Sequence, residues 1–153
     1  IQNGAGPLWR DIRTAAPKAT MMGSDALFEE AFIADAGEHA EGTCITFGSV
    51  PPALLEGAGR AFFRRYVQRF GKEPESYAAS SYDAMGVVLA AIEQVGSPDR
   101  AAVVQAAFGT RNFPGLQGRF TFDANGDTDL RRGTRLTVRA GRFQPLQVLE
   151  IEG

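Results

Sequence analysis

The chain has 153 residues, 44% of them hydrophobic and 22% charged, with a formal net charge of -2. That length and balance allow a real buried core and exclude a disordered segment, and the small acidic surplus offers no basic face to nucleic acid or an anionic membrane. Cys44 is the single cysteine, so no internal disulfide can form, and no apolar run approaches the roughly 20 residues that cross a bilayer.

Pro7 to Ala16 is expected to form a short helix with Leu8 and Ile12 on one side, stopped by Pro17, which disfavours helical geometry in the residue before it. Ala19 to Gly23 follows as a strand. Gly23-Ser24-Asp25 then provides a turn and an N-cap for a helix running to about Ala36, with Glu29 and Glu30 near its positive end and Gly37 as its stop. Gly42 to Phe47 is a second strand, and the breaker run Gly48-Ser49-Val50-Pro51-Pro52 marks a crossing between two bodies.

Leu54 to Phe70 is amphipathic, with Leu55, Ala58, Phe62, Tyr66 and Phe70 expected inside and Arg60, Arg64, Arg65 and Gln68 facing water. Ser76 to Gly96 is the longest apolar segment. Ala78, Tyr82, Met85, Leu89 and Ile92 recur at helical spacing, which predicts a core helix buried on several sides and closed by Gly96. Ser97, Pro98 and Asp99 then open a further helix to about Phe108, with Ser97 as cap and Pro98 at the first helical position. Gln117 to Phe122, Thr134 to Arg139 and Arg142 to Val148 are strands separated by Asn125-Gly126 and Ala140-Gly141 turns.

Catalytic and metal-binding patterns find little support. His39 is the lone histidine, in a polar Gly-Glu-His-Ala setting that reads as surface, and His39 with Cys44 lacks an orienting third group. Neither Gly23-Ser24-Asp25 nor Gly48-Ser49-Val50 completes a nucleophile elbow, and Gly57-Ala58-Gly59 and Gly71-Lys72-Glu73 complete neither a dinucleotide nor a phosphate loop. Asp123 to Asp129 alternates oxygen-bearing residues, but its glycine stands fourth and Thr134 occupies the closing position, so it reads as a tight turn rather than a calcium loop. No enzyme constellation, metal or cofactor is expected.

Two positions could carry a ligand. Asp25 follows a strand and opens a helix, where open α/β sheets place ligand groups; it could equally be a helix cap or first-turn acid. Tyr77, at the head of the long helix, could face a site or simply seal the core.

A series of short motifs falls in one order along nearly the whole chain: Gly37-Glu-His-Ala-Glu-Gly42, Phe70-Gly-Lys-Glu-Pro74, Tyr77-Ala, Tyr82-Asp-Ala-Met85, Ala91-Ile-Glu, Gly96-Ser-Pro-Asp-Arg100, Phe113-Pro-Gly-Leu-Gln-Gly118 and Phe122-Asp-Ala-Asn-Gly-Asp127. In these the chain resembles the leucine/isoleucine/valine-binding-type solute receptors, type I periplasmic binding proteins that serve ABC importers. The resemblance covers about the last two-fifths of such a receptor, whose two α/β lobes are joined by three hinge strands and enclose the ligand.

It implies an α/β fold, the C-terminal portion of a two-lobed, three-layer α/β/α receptor. Residues 1–47 would belong to the C-terminal lobe, 48–127 to the N-terminal lobe, and 128–153 to the C-terminal lobe again. By the same resemblance Asp25 would pair with the ammonium of an amino-acid ligand, one methylene shorter than the Glu of some members, and Tyr77 would pack near the ligand's amine and side chain. The expected partners are an amino acid and an ABC transporter permease, with a regulatory sensor of the same fold as the alternative. The expected location is periplasmic, or extracellular and lipid-anchored. The chain starts at Ile1 with neither initiator methionine nor signal peptide, so an upstream portion holding the export signal and the carboxylate-binding loops is expected. Lobes left incomplete would expose sheet edges and invite the isolated piece to self-associate.

Overall fold

A computed structural model describes residues 4–150. They form two compact units, one of residues 4–50 with 132–150 and the other of residues 51–131. The chain passes between them at Val50 to Pro51 and at Arg131 to Arg132.

In the first unit a four-stranded sheet has the order β1, β2, β5, β6, with β1 (Met22–Gly23), β2 (Cys44–Phe47), β5 (Arg132–Arg139) and β6 (Arg142–Glu150). β1 and β2 are parallel, and the other neighbours are antiparallel. The β5–β6 hairpin turns at Ala140 and Gly141, both at positive φ (50° and 67°), the geometry of a two-residue turn that matches strand twist. Helices α1 (Ala5–Ala15) and α2 (Glu30–Ala36) pack together, and a Cβ at Gly6 would overlap the Asp35 side chain, so only glycine lets them approach. The core gathers Trp9, Phe32, Ile45, Phe47, Leu136 and Val138. Trp9 meets Phe32 edge-on at 5.4 Å, and its indole N–H donates to Thr43 Oγ1 at 2.9 Å, which satisfies both polar groups inside the core.

The strand expected from Ala19 is confined to Met22–Gly23, and the helix expected from Asp25 breaks into a 3-10 turn, Asp25–Leu27, and α2. Phe28 is the cause. It turns in to meet Phe47 at 5.1 Å and Phe143 at 5.0 Å, while Glu29 becomes extended and restarts the helix.

The second unit holds α3 (Gly57–Phe70), α4 (Ala78–Val95), α5 (Arg100–Phe108) and a small hairpin of β3 (Phe113–Gly115) and β4 (Gly118–Phe120). β3 falls in the Phe-Pro-Gly motif, outside the strands that the sequence pattern predicts. The expected helix from Leu54 begins at Gly57, after a 3-10 turn at Pro52–Leu54. Asp99, not Ser97, is the cap of α5, its carboxylate accepting Ala102 N at 3.0 Å, and Pro98 lies outside the helix.

The expectation for α4 needs a larger correction. Its buried side is Ala79, Asp83, Val87 and Ala91, whereas Met85 and Leu89 are each 58% exposed and Tyr82 and Ile92 are also exposed. On α3, Ala58 and Phe70 are likewise exposed. A helix apolar nearly all round does not say which side its neighbours take. Here the β3–β4 hairpin supplies the deciding contact, because Asp83 turns toward Leu116 and carries its own side of α4 inward. Among the described residues of this unit the only sheet is that two-stranded hairpin, so the opposite face of α4 has no covering layer within the unit.

Candidate functional site

Asp25 is positioned by a tight corner. β1 runs parallel to β2, so Gly23 ends it on the side where both strands have their carboxyl ends. A Cβ on Gly23 would overlap Leu27 Cδ1; the missing side chain lets the buried Leu27 fold under the strand and fixes the turn that holds Asp25. Ser24, extended at ψ 178°, occupies the cap position, with its Oγ 3.4 Å from Ala26 N. Asp25 is therefore the first residue of the turn rather than its cap, half-buried beyond the carboxyl end of β1. Ligand groups of open α/β sheets stand in this place.

Tyr77 occupies the residue before α4, at φ -92° and ψ 0°, and its carbonyl accepts Ser81 N at 2.9 Å. The residue is 41% exposed. Ser76, just before it, has a buried Oγ with no hydrogen-bond partner among the described residues. An unsatisfied buried hydroxyl is costly, and no sequence pattern marks Ser76. Asp25 stands in the first unit, and Ser76 and Tyr77 stand in the second.

The remaining polar motifs serve the backbone. Asp123 Oδ1 accepts Asn125 N at 2.8 Å and Asp127 N at 3.0 Å, and Asp129 Oδ1 accepts Thr121 N at 2.8 Å. The N–H groups of Asp127 and Asn125 hold the Asp123 carboxyl below its ordinary range. These carboxylates brace a turn. His39 Nδ1 lies 3.3 Å from Ala36 O, and Cys44 is half-buried in β2. Among the described residues no three His, Cys, Asp or Glu side chains gather as metal ligands. No described helix is long and apolar enough to cross a membrane.

Asp83, also in the second unit, is shifted in the opposite sense to Asp123. It is a buried acid in the second turn of α4, and burial pushes its carboxyl above the usual range, partly offset by the N–H of Leu116. An acid set between apolar residues, ten positions before the next acid on the helix, Glu93, is the signal that the sequence offers.

The family model described as periplasmic binding protein matches residues 2–138. The chain belongs to this family. A Leu/Ile/Val-binding protein homologue of Brucella suis is 30% identical over 129 residues, covering 82% of the chain but 33% of that relative. A leucine-binding protein of Thermotoga maritima superposes with a TM-score of 0.83 at 29% identity, over 95% of this chain and 41% of that one. The branched-chain amino acid transporter substrate-binding protein of Streptococcus pneumoniae, solved with isoleucine, superposes at 0.81 with 23% identity and shares the fold over 97% of this chain. This periplasmic binding protein chain thus spans about a third of the length of the curated relative. Its mixed helix-and-sheet architecture is a portion of the type I fold. The family consists of substrate-binding proteins rather than enzymes.

Proposed function

We propose that this chain is the C-terminal portion of a solute receptor that captures an amino acid, of branched-chain type or a similar small solute, for an ABC importer. Membership of the periplasmic binding protein family over residues 2–138 carries the reading. In it the first unit belongs to the C-terminal lobe and the second to the N-terminal lobe, and the protein works in the periplasm or anchored outside the cell. The relatives whose names specify leucine, isoleucine and valine support this choice of ligand class.

A zwitterion leaving water needs both charges met, since an unpaired buried charge is costly. Asp25, half-buried beyond the carboxyl end of β1, is the negative partner for the α-ammonium. The exposed ring of Tyr77 is a wall for the ammonium or side chain, adding a modest cation–π attraction. Lobe closure around the ligand then shifts the population toward the form that the permease reads. Calorimetry on the complete receptor tests this: binding of a branched-chain amino acid is expected, and silence toward every amino acid would overturn it.

A further inference from the structure

The two crossings of the chain are tied together inside the first unit. β2 and β5 pair from Cys44 with Thr137 to Phe47 with Thr134, and there the ladder ends, because Gly48 and Ser49 bend away. Two residues past the last pair, the Thr134 hydroxyl donates to the Ser49 carbonyl at 2.8 Å, across 85 residues of chain. Ser49 directly precedes Val50, where the chain leaves the unit, and Thr134 closely follows Arg132, where it returns.

This bond is buried. Thr134 is 1% exposed and Ser49 8%, so neither the hydroxyl nor the carbonyl would find water if the pair parted. Valine has the shape of threonine and suits a buried strand position, so the hydroxyl is the chemical difference that this position uses. Thr134 is itself held from both sides, by Phe47 of β2 and Val148 of β6, which makes it a firm anchor. Beyond the anchor the outgoing crossing is stiff. The rings of Pro51 and Pro52 fix φ, at -52° for Pro51, and a proline confines the residue before it, here Val50, to extended geometry. Leu130 and Arg131, on the returning crossing, include no proline and belong to no strand.

We propose that Thr134 is a hinge clamp. Its hydrogen bond keeps the outgoing crossing seated on β5, so that rotation of one lobe against the other is taken up at Leu130 and Arg131, and the ligand-free receptor opens through a limited range. The clamp rests on the proposed reading of the chain as part of a two-lobed solute receptor. Thr134 acts through the crossing rather than on the ligand: it is a positioning residue that sets the fraction of receptor ready to close.

The complete receptor with Thr134→Val or Thr134→Ser is the test. Small-angle scattering of the ligand-free protein is expected to give a larger radius of gyration for Thr134→Val than for the parent, and an unchanged one for Thr134→Ser, which keeps the hydroxyl. Calorimetry with L-leucine is expected to show affinity about three- to tenfold weaker in Thr134→Val, because a wider open ensemble leaves less receptor competent to close, and near-parent affinity in Thr134→Ser. Should Thr134→Val not fold, Thr134→Cys, a weaker donor of similar size, takes its place with shifts in the same direction. A Thr134→Val receptor that melts lower but scatters and binds as the parent does would overturn the clamp and leave a packing role. So would a Thr134→Ser receptor that behaves as Thr134→Val does. A parent silent toward leucine, isoleucine and valine overturns the proposed function instead, and the scattering comparison then decides the clamp by itself.

Discussion

The carboxylate of Asp83 accepts the backbone N–H of Leu116 through both oxygens, at 3.0 Å and 2.9 Å, across 33 residues of chain. This pin joins the second turn of α4 to the turn of the β3–β4 hairpin. The hairpin side leaves little slack, since a Cβ on Gly115 would lie 2.8 Å from Asp83 Oδ2. Asp83→Ala leaves the buried Leu116 N–H unpaired and is expected to cost about 1 to 3 kcal/mol. Urea denaturation of the two chains measures it, and equal midpoints with equal slopes would refute the pin.

The same carboxyl gives a pH dependence with a definite sign. Its ordinary value is 3.8, and burial raises it in the folded chain. Below 3.8 both folded and unfolded forms are protonated and the group adds no charge to the interior. As pH rises through the window between 3.8 and the raised folded value, the unfolded chain loses its proton first, so stability falls; above the window it is level. Asp83→Asn keeps an acceptor for Leu116 and removes the titration. The stability of the native chain minus that of Asp83→Asn is therefore expected to decline from pH 3 through this window, and a difference that rises with pH would contradict the assignment.

The corner at Asp25 makes a prediction about packing. Gly23→Ala sets a methyl group into Leu27 Cδ1, under which the buried leucine must shift. Overpacking of this order costs about 1 to 3 kcal/mol. Gly23→Ala combined with Leu27→Ala opens the space again, so the pair should be less destabilised than the sum of the single changes. Additive losses in thermal denaturation would show that the two residues are not in conflict.

What could be read from residues and what could not divide along physical lines. Local chemistry was legible: the Ala140-Gly141 hairpin, the Asp123 turn, Gly96 as a helix end, and Asp25 just past a strand all stand where turn and cap rules put them. Partner choice was not. The inward turn of Phe28 depends on Phe143, more than a hundred residues away, and breaks a helix that local propensity favours. On α4 the periodicity located the apolar stripe correctly but assigned it to the core, because a stripe records what a helix avoids and not whether anything covers it. Asp83 decides that orientation by one hydrogen bond to a hairpin that the sequence pattern had not drawn. Tyr77 has two readings, a ligand wall or a core seal, and its place at the head of α4 fits both.

Asp25 carries the sharpest functional prediction. In the complete receptor Asp25→Ala is expected to weaken amino-acid binding by roughly 2 to 5 kcal/mol, the effect of removing one partner from a buried charge pair. Asp25→Glu, which keeps the charge and adds a methylene, should retain much of the affinity and shift the preference among side chains. Calorimetry separates the outcomes, and unchanged affinity of Asp25→Ala for every amino acid bound by the parent would remove Asp25 from the site.

Tyr77 separates ring from hydroxyl. Tyr77→Phe keeps the face that lies against an ammonium or side chain and is expected to bind nearly as the parent does, whereas Tyr77→Ala should lose about 0.5 to 2 kcal/mol of affinity. Because the side chain is 41% exposed, neither change should lower the melting temperature much. The two readings therefore part on which quantity moves. A ligand wall loses affinity and keeps its stability, while a core residue loses stability and keeps its affinity. Thermal denaturation of the free receptor and calorimetry with the ligand, run on both variants, decide between them.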